Sequence, residues 1–281
     1  MSVIIGIDVG GSTTKIIGVK EGHIKSPLFI TAADPVTSLF GAFGKYLYDN
    51  GILLSDIRQV VLTGVGSAYI QTPLYGLPTA KVDEFVANAL GAKYGSKEER
   101  LIVVSMGTGT SFIQIEGEKI THIGGTGIGG GTLLGLSRLL LHSDNIRQVE
   151  ELAQKGKLSH INLQIQDICN HALPGLPMDA TASNFGKATH NASQEDIAIG
   201  LISMVIQSIG SAAYLAGRNT DIKDYVMIGN LTQISQCQSI LEAMGLLYGI
   251  RFHIPEYAEF RTALGAALAY IDQRADVKDI R

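Results

Sequence analysis

The chain has 281 residues, 46% of them hydrophobic and 17% charged, enough to bury a sizeable core as one large or two modest domains and too apolar for disorder. A net charge of −4 with a pI near 6.0 leaves no basic footprint for nucleic acid. Two cysteines, Cys169 and Cys237, exclude a disulfide scaffold and point to a reducing compartment, most simply the cytoplasm. The histidines show no metal-ligand spacing with cysteines or carboxylates, so no structural zinc is expected.

In chain order, Val3 to Ile7 reads as a buried strand broken by Asp8 and the Gly10-Gly11 pair, with no basic segment before it of the kind a signal peptide needs. Lys15 to Val19 resumes a strand, giving an antiparallel hairpin; Glu21-Gly22 turns the chain again towards Ile24 and Leu28 to Ile30. Pro35 to Asn50 has helical spacing with Gly51 as a stop, and Val60 to Thr63 is another buried strand. Val82 to Tyr94 reads as a helix with Val82, Phe85, Val86 and Ala89 on one face. Then the pattern restarts: strand Leu101 to Val104, glycine turn, strand Ser111 to Ile115, hairpin at Glu116-Gly117-Glu118, and Ile120. Such internal repetition predicts two similar α/β domains, 1–98 and 99–281, the first carrying the Glu84 helix. The second half continues mostly helical, with one further strand, Tyr225 to Ile228, ending in Gly229-Asn230. Ile197 to Gly217 carries no formal charge and is long enough to span a membrane, but Ser203, Gln207, Ser208 and Ser211 and an N-cap at Ser193 favour a helix buried between domains or subunits.

Glycine makes up about 12% of the chain against roughly 7% on average, and it is clustered at strand ends. The clusters are Asp8-Val-Gly-Gly-Ser-Thr-Thr-Lys15, Gly107-Thr-Gly-Thr-Ser111, Gly124-Gly-Thr-Gly-Ile-Gly-Gly-Gly-Thr132 and Gly229-Asn230. Glycine lets backbone N–H groups approach an anion, and a helix N-terminus adds a favourable dipole. Ser12, Thr13, Lys15 and Thr132 supply further donors, and Asp8 suits the orientation of hydrated Mg²⁺. Neither a P-loop nor a strand-to-helix dinucleotide turn fits the spacing. The clusters together predict nucleotide binding; singly, each reads equally as ordinary turn chemistry.

The pattern resembles the acetate-kinase, sugar-kinase, Hsp70 and actin superfamily. Within it, nearly the whole chain is similar to the type II pantothenate kinases. The likeness rests on Gly6 to Lys15, Thr63 to Tyr69, Asp83-Glu84-Phe85, Val103 to Ser111, Gly125 to Leu136, Ala182 to Gly186, Ile228-Gly-Asn230 and Ala263 to Ala266. It implies duplicated ribonuclease-H-like domains with a nucleotide cleft between them, and phosphorylation of pantothenate from ATP and Mg²⁺ at the start of coenzyme A synthesis. It also implies Glu84 as catalytic base and Lys15 as a catalytic cation. ATP would be held by Asp8, Gly10, Gly11, Ser12, Thr13, Lys15, Gly107, Gly125, Gly129, Gly130, Gly131, Thr132, Phe185 and Gly229, with Asp8 on the metal through water. Glu84, Thr108, Ser111, His122 and Asn230 would meet pantothenate. The family dimerises through helices of its second half, which makes Ile197 to Gly217 the candidate core of a homodimer.

The residues alone leave alternatives open. Glu84 lies near a helix start, where a surface carboxylate favours the helix dipole. Asp83 reads as a solvated neighbour or a capping residue. Thr121-His122 stand where the family has a basic pair, and imidazole cannot make a two-pronged arginine contact. This favours, as a second reading, a kinase of the same fold for an amino-sugar or a pantothenate-like alcohol; a third is a nucleotide or acyl-CoA sensor without turnover. Arg261-Thr262 replace small residues, with Arg261 either a surface residue or the substitute cation.

Overall fold

A computed structural model describes residues 2–11, 13–31, 34–171, 174–274 and 276–280. The apolar run β1 (Val3–Val9) pairs antiparallel with β2 (Thr13–Lys20), and β3 (His23–Ile24) and β4 (Leu28–Thr31) both pair with β2. After helix α1 (Pro35–Asn50), capped by Asp34 and stopped by left-handed Gly51, β5 (Ile57–Thr63) returns parallel to β1, and β6 (Thr79–Lys81) lies parallel to β5. Helix α2 (Glu84–Lys93) leads to the second sheet.

That sheet repeats the plan. The strands β7 (Arg100–Met106), β8 (Thr110–Glu116) and β9 (Lys119–Thr126) form an antiparallel meander. A helical stretch follows: α3 (Gly130–Leu141), α4 (Ile146–Ala153), α5 (Leu158–Ile161), α6 (Ile165–Ile168) and α7 (Gln194–Gly217), with a small ladder of β10 (Leu163–Gln164) and β11 (Thr181–Ser183). Next, β12 (Asp224–Ile228) runs parallel to β7, and after α8 (Ser235–Tyr248), β13 (Arg251–His253) runs parallel to β12. The order β2-β1-β5-β6 in one sheet thus matches β8-β7-β12-β13 in the other, and the duplicated α/β plan read from the glycine turns is the observed one.

Three boundaries differ from the sequence reading. The α2 helix begins at Glu84 rather than Val82, because Asp83 caps it by accepting from Phe85 N and Val86 N; Asp83 is the capping residue. The second half holds β13 as well as β12, and β6 was also missed; three-residue strands carry too little alternation to register. Gly124 and Gly125 belong to β9, and the helix opens within the glycine run at Gly130.

The last helix, α9 (Arg261–Ile271), and β14 (Lys278–Asp279) return to the first sheet, β14 pairing with β6. Ala263, Leu264 and Ala267 of α9 pack on Ile17 and Val19 of β2. Reciprocally, Phe85, Ala89 and Ala92 of α2 pack on Leu101, Val103, Ile113, Ile115, Val226 and Ile228 of the second sheet. The two exchanged helices lie against each other, and glycine makes the crossing possible. A Cβ on Gly91 would sit 1.8 Å from the Arg261 carbonyl oxygen, and one on Gly265 1.8 Å from that of Ala87. Polar contacts lock the crossing. The Thr262 hydroxyl donates to Asn88 Oδ1 at 2.7 Å, and the Arg261 guanidinium donates to the carbonyls of Gly91 and Tyr94 at the end of α2 and to that of Glu256. Arg261 is buried, so it is neither a surface residue nor a substrate cation; it caps the C-terminus of α2 from outside that helix.

By length and composition α7 could cross a membrane. Its apolar faces are covered within its own half, however: Ile202, Val205, Ile206 and Ile209 share a core with Leu133 of α3, Val149 and Ala153 of α4 and Leu241 of α8. The burial expected from a partner domain or subunit is supplied inside the second half.

The crossing generates a test. Gly91→Ala and Gly265→Ala insert a methyl group into backbone and are expected to cost about 3 kcal/mol or more in thermal or denaturant unfolding. Gly44→Ala, at an open position inside α1, should instead gain up to about 1 kcal/mol.

Candidate active site

Strand alternation aims the first group of side chains. On β1, Gly6 lies under α9, where a Cβ would fall 1.9 Å from the Ala263 carbonyl oxygen. Asp8, two residues on, points to the same side, beyond that contact. Across the sheet, Asp8 is in register with Lys15 of β2 and Thr63 of β5. Lys15 Nζ lies 3.4 Å from Asp8 Oδ2, with only 5% and 8% of the two residues exposed. Lys15 is therefore no exposed strand lysine. The turn after β5 closes on the pair: Gly64, at φ 84°, passes so near that a Cβ would lie 2.5 Å from Asp8 Oδ1. That glycine carried no role in the sequence reading; its signal was its place directly after a buried strand.

Glu84 opens α2, with its N–H end capped by Asp83. Burial, with a further push from the Asp8 charge, raises its carboxyl pKa to about 7, although Lys15 pulls the other way. Such a group is not the solvated surface glutamate that a helix start alone would allow. The next residue, Phe85, stacks face to face on His122 of β9, ring centroids 4.0 Å apart and planes 9° apart. His122 is thus beside the Glu84 segment, engaged through its ring face.

A second group gathers at the end of β7, the counterpart of β1. The run after β9 docks backbone to backbone on the Gly107-Thr108-Gly109 turn: Gly130 N donates to Gly107 O at 2.8 Å and Gly131 N to Thr108 O at 2.9 Å. A Cβ on Gly129 would lie 2.5 Å from the Thr108 oxygen. On the other side Gly229, at φ 98°, would place a Cβ 2.5 Å from Met106 O. Asn230 follows, its Oδ1 buried without a partner. Ser111 pairs in register with Gly125. The Thr132 hydroxyl is occupied inside the loop, donating to Gly127 O and accepting from Gly129 N.

The remaining expected residues fall as follows. Gly10 N donates to Thr13 O across the β1–β2 turn, and Gly11 has open space above it; Ser12 lies outside the described residues. Phe185 takes a left-handed conformation, φ 59°, held by Asn162 Oδ1 accepting from its N–H, and its ring packs over Gly200 of α7. Its contacts belong to the helical region rather than to the glycine turns. Among the described residues no cluster of three or more potential metal ligands occurs. A cation here would rest on Asp8 with water and ligand oxygens, and the small acidic set fits magnesium, which keeps most of its waters.

These features match known proteins. The family model described as Fumble matches residues 81–253. A type II pantothenate kinase of Bacillus cereus is 30% identical over 249 residues, covering 85% of this chain and 88% of the relative. One of Staphylococcus epidermidis is 30% identical over 275 residues, 93% of this chain and 98% of the relative. The chain belongs to this family. Its fold is shared more widely: the ADPNP-bound activator of 2-hydroxyisocaproyl-CoA dehydratase from Clostridium difficile aligns with a TM-score of 0.70 at 20% identity, covering 96% of this chain and 95% of that one.

The raised Glu84 carboxyl has a measurable consequence. Its folded pKa lies above its unfolded value near 4.5, so the native state holds the proton longer than the unfolded chain. Stability contributed by this residue is therefore full below about 4.5 and is lost as pH rises towards 7. Glu84→Gln should leave unfolding unchanged at pH 4 and stabilise the protein at pH 8 by up to about 3 kcal/mol, measured by denaturant unfolding at both pH values.

Proposed function

We propose that this chain transfers the γ-phosphoryl group of ATP to the primary hydroxyl of pantothenate, forming 4′-phosphopantothenate. The observation that carries the reading is the half-buried Glu84 carboxyl beside the Asp8–Lys15 pair, in a chain of the type II pantothenate kinase family. Glu84 accepts the hydroxyl proton; a base with a pKa near 7 is half ionised at neutral pH and strong enough to take it. Lys15 offsets charge on the transferring group, with its desolvated position strengthening the interaction. Asp8 would hold magnesium through its hydration water, and the ion would supply positive charge to the phosphoryl oxygens.

The Gly10, Gly11, Ser12 and Thr13 turn and the Gly107, Gly125, Gly129 to Thr132 and Gly229 group supply the nucleotide cradle. Gly130 and Gly131 serve it chiefly by close packing, since their N–H groups already donate to the 107–108 turn. Phe185 packs against α7, and its nucleotide-binding role rests on the family resemblance alone. Thr108, Ser111 and Asn230 meet the acceptor, and the unpartnered Asn230 Oδ1 is a ready acceptor for a pantothenate hydroxyl or amide. We assign the chain to the cytoplasm, which its free Cys169 and Cys237 suit, and to a homodimer of the second-half helices, where Leu215 and Leu246 are exposed.

One observation favours a second reading. The His122 ring, stacked on Phe85, cannot reproduce a bidentate guanidinium contact, which suits a related alcohol or amino-sugar acceptor. ATP consumption with Mg²⁺ and pantothenate, pantetheine or N-acetylglucosamine separates the two. Pantothenate should stimulate turnover and gain one phosphoryl unit by mass; stimulation by another acceptor alone transfers the assignment to it. Glu84→Gln should bind ATP as the parent does and lose at least about 100-fold in kcat. His122→Arg should lower KM for pantothenate, and unchanged KM places His122 outside the acceptor site.

A further inference from the structure

Glu84 sits on α2, which rests one face on the second sheet through Phe85, Ala89 and Ala92. Its other face is fixed by contact with α9. Spacing puts Glu84, Asn88 and Gly91 on one stripe of α2, four and three residues apart. Gly91 presses on the α9 backbone, and Asn88, one turn from Glu84, meets Thr262.

Asn88 is wholly buried, and an amide in the middle of a helix sandwiched between two sheets is costly to keep there. Its Oδ1 accepts from the Thr262 hydroxyl at 2.7 Å, while its Nδ2 has no partner. Its side chain is thus anchored by one hydrogen bond, and that bond crosses to the helix lying on β1 and β2, the strands of Asp8 and Lys15. The Arg261 guanidinium holds the opposite end of α2 through the Gly91 and Tyr94 carbonyls. These two polar anchors, one in the middle of α2 and one at its C-terminal end, add to the glycine crossing in opposing rotation of the helix about its axis.

We propose that Thr262, through Asn88, is a positioning residue for phosphoryl transfer: its hydrogen bond sets the roll of α2 and so places the Glu84 carboxyl against Asp8 and Lys15. The inference rests on Glu84 acting as the base. A few degrees of roll displace a carboxylate at the helix start by a large part of an ångström, enough to alter proton transfer while leaving nucleotide contacts on the glycine turns intact. The charged groups that face Glu84 are Asp8 on β1, Lys15 on β2 and Asp83 beside it; a roll changes the distances to Asp8 and Lys15, while Asp83, the cap of α2, moves with the helix.

The test removes only the hydroxyl. Thr262→Ala is smaller than the native side chain and favours helix, so the crossing can still close; Thr262→Ser restores the donor. Glu84 is titrated by infrared difference spectroscopy, each protein against its own Glu84→Gln counterpart, and steady-state kinetics are measured alongside. With Thr262→Ala the Glu84 midpoint should fall by at least about half a pH unit as water reaches the carboxyl. In the same variant kcat should drop about tenfold with KM for ATP within about twofold, the pattern of an interaction made in the transition state. Thr262→Ser should recover both.

An unchanged midpoint in Thr262→Ala overturns the proposal, even if the melting temperature falls, because a purely structural bond would lower stability without moving the titration. An equal loss in Thr262→Ser overturns it too. If the midpoint moves and recovers but no acceptor is phosphorylated by the parent protein, the positioning role of Thr262 stands and the kinase reading falls.

Discussion

The architecture depends on two helix backbones touching. At the α2–α9 crossing, Gly91 and Gly265 lack the Cβ atoms that would hold the helices apart, and each helix then covers the sheet of the other half. The helix bearing Glu84 therefore stands on the second sheet while the carboxylate and ammonium that meet it stand on the first. A site assembled this way exists only when the halves are in register, and side chains at the crossing, Asn88, Arg261 and Thr262, act on chemistry they do not touch.

Within the site, the decisive quantity is desolvation. Asp8 and Lys15 satisfy each other as neighbours across an antiparallel pair, leaving Glu84 as the carboxyl whose charge is least supported. Burial costs any charge, and it costs a lone carboxylate more than a paired one, so the proton affinity of Glu84 rises accordingly. Burial first, and the Asp8 charge second, make Glu84 basic against the pull of Lys15.

Much of this was legible in the sequence. Apolar runs ending in polar glycine turns marked β1, β2, β7, β8 and β12, and their repetition announced the duplication. Asp8 and Lys15 were readable because they flank a hairpin. What was hidden depends on distant packing. Glu84 has the same local sequence whether it is solvated or enclosed; only α9 and the first sheet decide. Arg261 read as a surface or substrate cation, since nothing local shows that the carbonyl end of another helix awaits it. The three-residue strands β6 and β13 hold too few alternations to register, and Gly64 looked like an ordinary turn glycine although it leans on the Asp8 carboxylate.

The return of α9 and β14 to the first sheet carries a consequence for synthesis. The residues that cover Ile17 and Val19 and seat on Gly6 are numbers 260 to 271, far along the chain from the strands they cover. On the ribosome the first half therefore emerges with one face of its sheet bare, and stays so until those residues have been made. At roughly 5–20 residues per second, the interval is on the order of tens of seconds. During it, the alternating Gly6 and Asp8 face, interrupted by a charge and a missing side chain, is less adhesive than a continuous apolar strand. The same two residues that receive α9 and frame the site thus also guard the nascent sheet.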